Sequence, residues 1–199
     1  HIAIESRMFL AKNKFGEFGA CEVTVKTVKW LIHDDVHTFN LQQIEALIWG
    51  CKALAVLADT EITNKIRLGR CGAITIANDV ISSFTKHRSH ELQVNALQIL
   101  LNLPKSIMPS QWNNAKHPLA QEFGAEDTVG RMLDEGTDMI VLDLFGDSIR
   151  EMQELNIPHT PIVLEGHQEY ATKGPNLHRI LDMSARLLQS FANNGEEIR

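Results

Sequence analysis

Along the first half of the chain, apolar residues return at steps of three and four, the spacing that gathers side chains on one face of a helix. Cys21, Val23, Val25, Val28 and Leu31 contain such steps, although the β-branched density of "EVTVKTV" also suits a strand. The set Ile74, Ile76, Ala77, Val80, Ile81 and Phe84 favours a helix running roughly from Ile74 to Thr85. A polar break follows each of these helices, "HDDVHTFN" and "TKHRSHE", and then a longer apolar run. "LQQIEALIWGCKALAVLAD" places Ile44, Leu47, Ile48, Cys51, Leu54, Ala55 and Ala58 on one broad face; "ELQVNALQILLNL" does the same with Leu92, Ala96, Ile99, Leu100 and Leu103, and Pro104 closes it. Neither long helix can bury so wide a face within its own repeat, so the pattern predicts stacking on neighbouring repeats.

The phrase that introduces these helices recurs. "NKFGEFGACEVTVKTV" begins at Asn13, "NKIRLGRCGAITIANDVI" at Asn64, and "NAKHPLAQEFGAEDTVGRML" at Asn114. Their Gly-Ala steps fall at Gly19-Ala20, Gly72-Ala73 and Gly124-Ala125, spaced by 53 and then 52 residues. Glycine at such a step permits backbone angles that a side chain would penalise, and so a sharp change of direction between packed helices. The repeats run approximately over 13–63, 64–113 and 114–192 in one domain.

The order of short helix, Gly-Ala, amphipathic helix, polar break and long apolar helix resembles the armadillo repeat. The matching stretches are "FLAKNKFGEFGACEVTVKTV", "LAVLADTEITNKIRLGRCGAITIANDVISSF" and "NNAKHPLAQEFGAEDTVGRML", with "LDMSARLLQSFANNGEEIR" resembling a further third helix and, at Asn193-Asn194, the opening of another unit. The resemblance implies an all-α fold, a right-handed α-solenoid whose third helices line a concave surface for a protein or peptide. The period of about 52 exceeds the roughly 40 to 47 residues of armadillo and HEAT units. Members that bind extended basic peptides present a Trp and an Asn four residues apart. The matching places here hold Lys52 with Val56 and Asn95 with Ile99, and these four are the expected partner-binding residues. Trp49, one turn earlier, reads as a core aromatic.

Residues 136–175 depart from the repeat. "MIVLDLF" and "TPIVLEG" are compact apolar runs bounded by Gly and Pro, as buried strands would be. The same stretch also reads as a distorted third helix through Ile140, Val141, Leu144, Ile149 and Met152, interrupted at Gly146, followed by a degenerate connection; a small appended α/β element is the other reading. "VLDLFGDS" resembles the strand and Gly-Asp-Ser block of SGNH-type hydrolases, which would make Ser148 a nucleophile. The Asp-x-x-His that such a serine needs downstream is missing.

Composition narrows the functional classes. At 199 residues, 44% hydrophobic and 22% charged, the chain has the make-up of a folded globular protein. A net charge of −6 gives no general excess of Lys and Arg for a phosphate backbone, so nucleic acid is not expected as a partner. No apolar stretch approaches the roughly 20 residues of a bilayer span, and the start lacks the order of a signal peptide. Cys21, Cys51 and Cys71 read as reduced core thiols in a cytoplasmic setting, and His1 in place of Met suggests a piece of a longer chain. His33 with His37, and His87 with His90, have metal-ligand spacing but sit in polar breaks, where solvated surface histidines are the ordinary outcome. The acidic run Glu122, Glu126, Asp127, Asp134, Glu135 and Asp138 reads as a solvated face. With no phosphate-binding loop and no complete catalytic set, the expected function is non-enzymatic: a scaffold or interaction module of a larger signalling protein. It would bind a protein, a peptide or another domain of its parent chain, with no cofactor and no metal.

Overall fold

The computed structural model describes residues 11, 14–33, 40–59, 62–85, 89–104, 125–157 and 168–197. Among these the chain is helical, with no strand. Helix α1 spans Ala20–His33, α2 Leu41–Ala58, α3 Ile62–Cys71, α4 Ala73–Thr85, α5 His90–Asn102, α6 Ala125–Asp134, α7 Thr137–Glu154 and α8 Gln168–Glu197.

Short-range chemistry sets several helix ends. The Asn40 side chain accepts the N–H of Gln43 while the Gln43 side chain accepts the N–H of Asn40, at 2.9 and 3.0 Å, so two donors at the start of α2 are satisfied reciprocally. At the end of α7, Asn156 takes φ +51, and the N–H of Ile157 reaches back to Met152 O at 2.9 Å. Ile157 is buried there with Met152 and Leu177.

The corners between helices are set by glycine. Gly19, Gly72 and Gly136 have φ of +85, +88 and +70, a region where a side chain costs roughly 1–2 kcal/mol. Each donates its N–H to the carbonyl three residues back, Gly16, Gly69 and Leu133, at 3.1, 3.2 and 3.0 Å. Each then accepts the N–H four residues on, from Val23, Ile76 and Ile140. The three corners are one structure, and each joins a short helix or helical turn (residues 14–17, α3, α6) to a second helix (α1, α4, α7).

Second helices pack on second helices, α1 on α4 and α4 on α7, and third helices on third helices, α2 on α5 and α5 on α8. One continuous apolar core runs through all of them. Polar ties join successive units. Asn102 donates to the backbone oxygen of Ala55 at 3.0 Å. Between the next two units Arg131 donates to Gly69 O, Thr75 to Glu135, Asn78 to Thr137, and His90 pairs with Glu151, at 3.0, 2.9, 3.0 and 3.0 Å. These four ties span 62, 60, 59 and 61 residues; the first three hold α3 and α4 against α6, α7 and the corner between them, and the fourth holds α5 against α7.

Several expectations are corrected. The third corner is Gly136-Thr137, not Gly124-Ala125; Ala125 opens α6 and Gly124 lies outside the described residues. Of the two readings of "MIVLDLF" the helical one holds, because its apolar residues Val141 and Leu144 meet the shared core from one side of α7. α7 is a second helix rather than a third, and Gly146 does not interrupt it. "TPIVLEG" lies outside the described residues. The third helix of the last unit is α8, which contains Pro175 and runs on past Asn193-Asn194 to Glu197 without opening a new unit.

Leu100 lies in the middle of this core, fully buried on α5, which packs on both α2 and α8. Leu100→Ala is expected to lose roughly 2–5 kcal/mol of stability, and Gly72→Ala roughly 1–2 kcal/mol through its corner alone. Urea denaturation of each variant measures both losses; a Leu100→Ala protein with the wild-type midpoint contradicts the packing.

Candidate partner-binding face

Three third helices lie side by side, so their outward residues form one surface. On α2, Lys52 is half-exposed; its Nζ sits 2.7 Å from Glu91 Oε1 on α5 and 4.9 Å from the centre of the Trp49 ring. An exposed ion pair of this kind contributes about 0–1 kcal/mol, so a ligand can displace it at little cost. On α5, Asn95 Nδ2 donates to Glu91 O at 2.8 Å, and Gln98 Nε2 to Asn102 Oδ1 at 2.8 Å. On α8, Arg186 grips Asp182 through Nε at 3.2 Å and Nη2 at 2.9 Å, while Arg179 forms no ion pair among the described residues.

Between α5 and α8 these side chains frame an open groove of about 270 Å³, lined by Gln98, Leu101, Arg179, Asp182, Met183 and Arg186. Its lining joins the apolar Leu101 and the nearly buried Met183 to the amide of Gln98, the carboxylate of Asp182 and the guanidinium groups of Arg179 and Arg186, a mixture suited to a polypeptide with both backbone and side chains to satisfy. The α8 members were absent from the expected site. They were legible in "RILDMSAR", where Arg179, Asp182 and Arg186 sit opposite the buried Ile180, Ser184 and Leu187.

Of the four expected residues, Lys52 and Asn95 border this face, whereas Ile99 is fully buried and cannot line a surface. Aligning Leu54 with Leu97, both fully buried, gives the reason. In that register Trp49, Ala53 and Val56 correspond to Leu92, Ala96 and Ile99. On α5 this stripe is covered; on α2 it is open, with Trp49 63% exposed rather than in the core and Val56 46%. The open stripe also explains why α2, 18 residues long, is apolar enough by length and composition to cross a membrane although only 33% of it is buried. Its remaining apolar surface packs on α1, α3 and α5.

Other candidate chemistry resolves differently. Ser148 is 3% exposed inside α7, where the strand-to-helix turn that would present a nucleophile does not exist. His90, expected on the surface, is buried against Glu151 of α7; His37 and His87 lie outside the described residues, as does the side chain of His33. Of the acidic run, Asp134 is exposed, but Glu135 accepts a hydrogen bond from Thr75; Glu122 lies outside the described residues, as do the side chains of Glu126 and Asp127. Comparison with protein-family models, curated proteins and solved structures found no match to this chain.

The thiols are held in their neutral form. Burial pushes Cys51 up from 9.0 to about 12; burial first, then the neighbouring Glu22, pushes Cys21 to about 11. A folded state that holds a thiol proton more tightly than the unfolded chain keeps that stability below the unfolded value and loses it as pH rises through the folded one. Urea midpoints are therefore expected to fall as pH climbs from 9.0 towards about 12, and Cys51→Ala to make that fall shallower. A variant with the wild-type slope would remove the Cys51 thiol as the cause.

Proposed function

We propose that the chain is an armadillo-like, right-handed α-solenoid that acts without enzymatic chemistry, holding a protein or peptide segment on the face formed by α2, α5 and α8. The groove between α5 and α8 carries this reading: it brings the apolar Leu101 and Met183 together with the polar groups of Gln98, Arg179, Asp182 and Arg186. Three glycine corners of one geometry, and third helices stacked in chain order, support the solenoid. In such a stack each unit adds one helix to a common surface, so an extended segment crossing the helices meets Arg179 and Arg186, then Gln98 and Asn95, then Lys52. A scaffold or regulatory segment of a larger signalling protein fits this role, with the bound segment supplied by a separate protein or by another domain of the parent chain. The free cysteines accord with a cytoplasmic setting.

A displayed random-peptide library selected against the wild-type chain tests the face. The double variant Gln98→Ala, Arg179→Glu is expected to bind the selected peptides at least tenfold more weakly, on the order of 1.4 kcal/mol, with an unchanged helical spectrum. Selected peptides that bind this variant as they bind wild type would place the binding surface elsewhere.

A further inference from the structure

The groove and the tie between α2 and α5 meet in one buried side chain. Asn102, 3% exposed at the last position of α5, donates Nδ2 to Ala55 O of α2 at 3.0 Å and accepts from Gln98 Nε2 at 2.8 Å. Gln98 stands one turn earlier on α5 and lines the groove. Which atom faces which is fixed from the buried end. A carbonyl oxygen only accepts, so the Asn102 amide turns its NH2 group to Ala55 and its oxygen away. That oxygen needs a donor, and Gln98 meets it with its own NH2 group. Either amide turned over would set oxygen against oxygen and leave a buried acceptor unpaired, a penalty that an amide in open water escapes. Arg186 and Asp182, also in the lining, bond to each other within α8, whereas Gln98 is held through Asn102 by another unit.

We propose that Asn102 is a positioning residue for the groove: it holds the Gln98 amide in one orientation and so couples binding in the groove to the junction of α2 with α5. The proposal rests on the groove being the site where the partner binds. A segment that bonds to Gln98 then meets an amide that is already oriented, without the cost of ordering it. In return the bound segment keeps Gln98 on Asn102 and Asn102 on Ala55, a contact that lies outside the groove. Such coupling is reciprocal: whatever loosens α2 from α5 weakens binding, and a bound segment strengthens the junction.

Two variants of the whole chain test the relay and the coupling separately. Gln98→Glu sets a carboxylate oxygen against Asn102 Oδ1, at a partly exposed site where most substitutions leave stability nearly unchanged. Its urea midpoint is expected to fall below wild type at neutral pH. The gap is expected to close as the pH is lowered, because the new carboxyl, once protonated, can donate to Asn102 and the folded state then binds that proton more tightly than the unfolded chain. A midpoint equal to wild type at neutral pH, or a gap that acid leaves unchanged, overturns the relay. The coupling is read from a double-mutant cycle on peptides selected against wild type from the displayed library. Asn102→Ala is expected to weaken their binding about fivefold, but less than about twofold where Gln98→Ala is already present and no side chain remains to be positioned. A merely structural Asn102 would weaken binding equally in both backgrounds. Equal losses, or no loss in either, overturn the proposal and leave the groove as the binding site. Peptides that bind the double variant Gln98→Ala, Arg179→Glu as they bind wild type overturn the groove reading itself, and this proposal with it. Should Asn102→Ala lose its helical spectrum, the pH dependence of Gln98→Glu decides.

Discussion

A backbone conformation open to glycine and costly to most other residues holds this architecture together. At each corner the chain leaves a short helix, turns through a left-handed residue and starts a longer helix whose first internal hydrogen bond is accepted by that same residue. Because turn and helix start share one residue, the rotation of the second helix about its axis is set at the corner. Positions three and six past Gly72 then face the next unit, where Thr75 reaches Glu135 and Asn78 reaches Thr137.

Once that register is set, burial follows from the number of neighbours. α4 and α5 have a unit on each side, and nearly all their apolar positions are covered; α1, α2 and α7 have one neighbouring unit and leave large apolar side chains open. The polar ties sharpen the arrangement beyond what a non-directional apolar core would do. Asn102 meets Ala55 O and Arg131 meets Gly69 O, each supplying a donor to a carbonyl of the preceding unit. A slip of one residue between units would strand these buried groups, at a cost of about 1–3 kcal/mol each.

The sequence was informative where the physics is local and silent where it depends on a partner helix. The periodicity of Ile74 to Thr85 and of "ELQVNALQILLNL" gave α4 and α5 almost to their ends, and Gly19 and Gly72 marked true corners. The third corner was misplaced because the dipeptide Gly-Ala was followed in place of the requirement behind it, a glycine between two helices, which Gly136-Thr137 meets as well. "MIVLDLF" admitted both a strand and a helix reading because a short apolar run does not distinguish a buried strand from a buried helix. His90 looked solvated because its partner Glu151 lies 61 residues away. On the candidate face, the expected set reached the α2 and α5 border through Lys52 and Asn95 and missed α8, whose place beside α5 only the stack supplies.

Ile99 and Val56 mark the limit of such reading most clearly. They occupy one register position on equivalent helices, both are β-branched and apolar, and no local rule separates them, yet one is fully buried and the other nearly half exposed. The two helices differ in their neighbours: α5 packs on both α2 and α8, whereas of the third helices α2 packs, among the described residues, on α5 alone. Among equivalent helices, then, an exposed residue has two distinct settings. Where its counterparts are buried, as with Val23, Trp49 and Val56, exposure marks a face that no other described helix covers. Where the equivalent positions are all at least partly exposed, as along Lys52, Asn95 and Arg179, one polar surface runs across α2, α5 and α8 alike.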